Sequence, residues 1–236
     1  MKGRTVLQRR DFLKITGFGG AVWAASQALF AGSRHDAFQK EGKNMNYSPK
    51  DYSKLLGMPG FSETLLKNHF TLYQGYVANT NKVLDILGLM AADGKTGTPE
   101  FAELKRRLGW EFNGMRLHEY YFENLGGKAA LDPAGKFGRK IVEQYGDVES
   151  WEKEFRATGA MRGIGWVVLY EDLTNGRLID FWVNEHDVSH PAGCQPLLVM
   201  DVFEHAFMID YGLKRADYIE AFFKNVDWAV VGSRLK

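Results

Sequence analysis

The sequence predicts an α+β fold: an N-terminal α-helical hairpin domain followed by a C-terminal α/β domain with a small three-stranded antiparallel sheet. Three observations carry this. From Ser62 to Leu125 apolar residues recur at helical spacing. Around Asn175-Gly176 the period shortens to that of β-strands, and Asn-Gly between two such runs is a hairpin signal. "QPLLVM" then reads as a third, buried strand running into Asp201.

Taken in order, residues 1–31 read as a targeting segment. "QRRDFLK" supplies Arg9, Arg10, Phe12, Leu13 and Lys14, and the apolar, glycine-rich "ITGFGGAVWAASQALFAG" follows. That run is too short for a stable membrane span. A charged start, an apolar middle and small residues near the end make a signal peptide. The paired arginines resemble the twin-arginine motif, which implies the twin-arginine export machinery as a partner and a periplasmic or extracellular destination. Cleavage falls after Ala31 or near Ser26; the alternative is a basic amphipathic start to an ordinary domain. Residues 32–46 form a linker, and polar residues continue to Lys50.

The hairpin domain is expected over residues 47–127. Ser62 caps its first helix, with Glu63 in the first turn. Leu65, Leu66, His69, Leu72, Tyr73, Tyr76, Val83, Leu84 and Leu87 give its apolar face. "ADGKTGTPE" breaks it, and Thr98-Pro99 starts a short connecting helix. A further helix carries Met115, His118, Phe122 and Leu125 and stops at Gly126-Gly127. The α/β domain spans 128–236. Helices around "GKFGRKIVEQYG" and "SWEKEFRATGAMR" precede the strands, and one helix through "ADYIEAFFKNVDWAVV" closes the chain.

Composition excludes several classes. With 236 residues, 45% of them hydrophobic and 14% aromatic, the chain has the means for a real core. The net charge is +1, and beyond the basic leader the balance is about −3, which argues against nucleic-acid binding. The single cysteine, Cys194, forms no internal disulfide.

The chemistry is sought among six histidines. His35 lies in the linker and His190 in a Pro-Gly loop. His69 and His118 each occupy the apolar face of a helix, and His186 ends the second strand run. In "DVFEHAF", Asp201 and His205 sit four apart among apolar side chains. A lone histidine on such a face is more often a satisfied core residue. Three of them with a buried aspartate are different, because buried polar groups need partners and few arrangements satisfy this set as well as a shared cation. Neutral imidazole and carboxylate suit iron and manganese. Without a cysteine cluster a structural zinc site is disfavoured. Three alternatives stay open: plain core histidines, a non-haem iron oxygenase, and a metal-binding protein that kept its fold and lost turnover.

From about Tyr47 to its end the chain resembles the iron/manganese superoxide dismutases. "KNHFTLYQGYVANTN", "LHEYYFENL", "GIGW" and "DVFEHAFMIDY" stand in that family's order, and "DVFEHA" is similar to its "DVWEHA" signature. The resemblance implies conversion of superoxide to dioxygen and hydrogen peroxide on one iron or manganese ion per subunit. It implies His69, His118, Asp201 and His205 as ligands. Tyr76 becomes the tyrosine that helps deliver protons, and His186 stands for the glutamine that many relatives turn toward bound solvent. Trp166 would wall the substrate cavity, Arg215 would attract the anion, and Glu204 would cross a homodimer interface to the partner's His205; a tetramer is the larger alternative. Gly114 in place of a helix glutamine resembles manganese forms, while His186 looks more like iron-using or dual-metal forms; the balance leans to iron. Tyr73 stands where many relatives have a gateway histidine, Met208 where its tyrosine partner would be, and Phe203 replaces the signature tryptophan.

Overall fold

The computed structural model describes residues 46–236, and the leader with its arginine pair, His35 and most of the linker lie outside them. Residues 47–236 form one compact unit.

Helix α1 spans Glu63–Ala92 and α2 spans Pro99–Glu123. Each start is capped as its sequence requires: Ser62 accepts the Leu65 N–H and Thr98 accepts the Phe101 N–H, with Pro99 in the first turn. The expected connecting helix does not exist separately. Gly109 and Gly114 lie inside one continuous α2. A glycine costs a helix interior about 1 kcal/mol, and here the tertiary packing of an amphipathic face overrides that cost.

Helices α3 (Lys136–Tyr145) and α4 (Val148–Gly159) lead to the sheet, where β1 (Gly165–Asp172), β2 (Leu178–Asn184) and β3 (Cys194–Asp201) pair antiparallel in the order β2-β1-β3. The central strand is buried almost throughout, which explains its unbroken apolar run. Pro196 is tolerated because β3 is an edge strand. In "GIGW", Gly165 has φ +142°, and a Cβ there would lie 2.2 Å from the Val183 carbonyl oxygen; only glycine lets β1 start this close to β2.

After a 3-10 turn at Glu204–Ala206 come α5 (Met208–Tyr211), α6 (Arg215–Lys224) and α7 (Trp228–Ser233). The single closing helix expected from the sequence is thus two. Asn225 separates them: its amide donates to the Ala221 carbonyl and across to that of Pro59, while Asp227 caps α7. The hairpin and the sheet share a single aromatic-rich core that includes Tyr121, Phe122, Trp166, Tyr218 and Phe222. Asn124, just past α2, ties the two halves together: its Oδ1 accepts the Val199 N–H of β3 at 3.0 Å. No helix of the described residues is long and apolar enough to cross a membrane.

Candidate metal centre

Four side chains from four places meet at one point. His69 comes from α1, His118 from α2, Asp201 from the end of β3 and His205 from the 3-10 turn after it. One donor atom from each lies within 4.8 Å of all the others. Asp201 Oδ2 is 3.0 Å from His205 Nε2, 3.2 Å from His69 Nε2 and 3.7 Å from His118 Nε2. Ligand atoms about 2.1 Å from a shared ion, at angles of about 90–120°, sit about 3.0–3.6 Å apart. Two of the three distances to the carboxylate fall in that range and the third lies just outside it, so a small inward shift of the donors would gather the set around one first-row ion.

The surroundings explain how such polar groups survive burial. The His118 ring is fully buried; its Nδ1–H donates to the Gly114 carbonyl at 2.6 Å, so Nε2 keeps its lone pair and has no hydrogen-bond partner among the described residues. An orphaned acceptor aimed at a carboxylate is what a cation would satisfy. His69 Nδ1, on the far side of its ring, is also buried without a partner among the described residues. Burial pushes both rings toward the neutral form, with the nearby Asp201 opposing the shift. Burial alone would raise the Asp201 carboxyl, but His205 and His69 beside it hold it below the usual carboxylate range. Asp201 is further fixed by the Phe203 N–H on Oδ1, and the Tyr218 hydroxyl caps its backbone carbonyl at 2.6 Å.

A second layer lies beside His118. Tyr76 stacks on the His118 ring and rests its own ring on Gly114, where a Cβ would come within 2.5 Å of it. Tyr76 Oη is 2.7 Å from His186 Nε2, and the Trp166 indole N–H donates to His186 Nδ1 at 3.0 Å. Because Nδ1 accepts, the neutral ring carries its hydrogen on Nε2 and donates it to the Tyr76 oxygen. The Tyr76 hydroxyl hydrogen is thereby left free to point elsewhere. Burial lowers the His186 imidazole to about 4 and raises the Tyr76 phenol to about 12, the latter with help from Asp201.

The other expected residues are placed as follows. Trp166 is fully buried against His118. Arg215 is half-buried; its guanidinium donates to the Met161 and Gly163 carbonyls at 2.6 and 2.8 Å and lies over Phe207. Glu204 is exposed. Tyr73 stands at no gateway: it is 1% exposed, donates to Glu119 and accepts the Lys50 N–H. Met208 is at the surface and Phe203 stacks on His205. Trp110 went unforeseen. Its ring meets His186 edge-on at 4.7 Å. It lies eight residues before His118 on the same helix, a spacing that could have flagged it. A cavity of about 760 Å³ opens between residues 54–60 and α6, and none of the four converging residues lines it.

Fold and site together define a class: an α-hairpin packed on a small antiparallel sheet, holding three imidazoles and one carboxylate in a set able to bind one redox metal ion. Comparison with known proteins narrows it. The model of the iron/manganese superoxide dismutase C-terminal domain matches residues 133–234. An iron superoxide dismutase of Aquifex pyrophilus is 36% identical over 195 residues, covering 80% of this chain and 90% of that protein. One from Cupriavidus metallidurans is 37% identical, covering 75% and 89%. A manganese superoxide dismutase of Haloferax volcanii is 33% identical, covering 76% and 88%. The chain belongs to the iron/manganese superoxide dismutase family.

Proposed function

We propose that His69, His118, Asp201 and His205 hold a single iron or manganese ion, iron before manganese, and that the chain converts superoxide to dioxygen and hydrogen peroxide at it. The observation that carries the ligand assignment is three imidazole nitrogens gathered around one buried carboxylate oxygen. An ion held by these four residues would supply a one-electron couple, through which one superoxide would be oxidised to dioxygen and a second, with two protons, reduced to hydrogen peroxide.

The protein's own residues do the rest. Three neutral imidazoles and one carboxylate bring a single negative charge, which suits a 2+/3+ couple. The His118 hydrogen bond to Gly114 fixes the tautomer that presents Nε2. Tyr76, with its oxygen occupied by His186, turns its hydrogen toward the reacting anion and is the final proton donor; Trp166 holds His186 in the donating tautomer. The walls of Trp166, Phe203 and His118 are aromatic and closely spaced, which suits a diatomic substrate. Arg215 contributes positive charge beside the segment preceding β1. Glu204 of the partner subunit would accept from His205 across a homodimer seam. In support, His205 is the one member of the set with an exposed edge, 29% of its side chain against 0% for the other three.

Purified protein loaded separately with iron and with manganese tests the reading. Rapid superoxide removal by at least one form is expected, and elemental analysis of protein from its native host should return close to one ion per chain. Inactivity of both forms in folded protein overturns it. For the leader we propose twin-arginine export to the periplasm or beyond: Arg9→Lys with Arg10→Lys should retain the protein inside the cell, and unchanged export refutes the assignment.

A further inference from the structure

His190 lies in a Pro-Gly loop, yet it touches the machinery at one remove. The connection from β2 to β3, residues 185–193, carries His186 and bends sharply. Glu185 has φ 55° and Ser189 φ 76°, the only non-glycine residues with positive φ among those described. Side chains with a Cβ rarely adopt that conformation, and such residues persist where their surroundings enforce it. A β-bridge between Asn184 and Val188 closes the bend on one side. On the other, His190 Nε2–H donates to the His186 backbone carbonyl at 2.8 Å, while His190 Nδ1 accepts from the Tyr170 hydroxyl at 2.9 Å. Tyr170 sits in the central strand and is itself buried. The sheet thus grips His190, and His190 grips the backbone of the residue that meets Tyr76.

We propose that His190, clamped by Tyr170, is a positioning residue for catalysis: it holds the strained 185–193 bend in the one shape that delivers His186 to both Trp166 and Tyr76. His190 is exposed, so its ring fills no core volume; its two nitrogens are what it contributes. The inference rests on the assignment of His186 and Tyr76 given above.

The test is a double-mutant cycle on the metal-loaded protein, joined to magnetic resonance of the metal-free protein. His190→Ala should lower kcat/KM about tenfold, the scale seen when a residue orienting a site's side chains is lost. His190→Gln, whose amide can still donate to the carbonyl, should recover most of it, and Tyr170→Phe should show a smaller loss. In a His186→Ala background, His190→Ala should have no further effect. Labelled-imidazole spectra of metal-free protein should show His186 in one tautomer, hydrogen on Nε2, and a mixture after His190→Ala. If His186→Ala lowers turnover while His190→Ala changes neither turnover nor the tautomer, the clamp is overturned alone. Full additivity of the two losses overturns it as well. If His186→Ala is without effect, the catalytic reading of His186 falls and takes the clamp with it.

Discussion

At the scale of single residues the site is governed by who occupies which lone pair. Gly114 serves twice: its carbonyl fixes the His118 tautomer and its bare Cα seats the Tyr76 ring. Gly114→Ala should therefore displace Tyr76, lowering turnover at least tenfold while costing about 1–3 kcal/mol through overpacking; steady-state kinetics and urea titration read the two effects. Asp180 is a different case. Burial raises its carboxyl to about 7, the Trp151 N–H opposes and Glu154 adds to the rise, against 3.8 for an unperturbed side chain. Between those values the folded chain keeps a proton that the unfolded chain releases, so this group's contribution falls as pH climbs from about 4 to about 7 and is level above. Asp180→Asn should flatten that slope and raise stability at pH 7.5 by on the order of 1–3 kcal/mol relative to pH 4.5, checked by urea midpoints at both.

At the scale of elements, what was legible in the sequence was whatever depends on local period. The first long helix, the second half of the other, the Asn175-Gly176 hairpin and the third strand could be read directly because burial imposes spacings of 3.6 and 2. The Asp201–His205 pair showed itself by being polar where its neighbours are not. What escaped depends on contacts between elements. Gly109 and Gly114 look like helix breakers in isolation, and only the Tyr76 ring explains the second. The final helix looked continuous because Asn225 is polar rather than a breaker, and its side chain competes for carbonyls only once Pro59 is beside it. The His190 clamp requires a strand, a bend and a tyrosine to be placed together before it exists. Asn124 is the clearest cross-element bond, since its loss leaves the buried Val199 N–H unpaired. Asn124→Ala should destabilise by about 2–3 kcal/mol, measured by chemical denaturation of the metal-free protein.

At the scale of the whole molecule the four converging residues sit where hairpin meets sheet, so none of them is placed until both halves have folded. His69 and His118 are carried by the two helices, Asp201 by the sheet edge, and three of the four side chains show no surface to solvent. His205 alone has an open edge, and the neighbouring surface shows Met208, Ile209 and Leu213 to solvent. That edge is where an ion in the centre would stand nearest to solvent. Among the described residues a chelator approaching along that edge meets His205 first, and a second subunit of the proposed homodimer seated there would cover it. Stripping by a chelator should slow as protein concentration rises, and Glu204→Ala should abolish that protection; the pairing of subunits would then act as a lock on the metal.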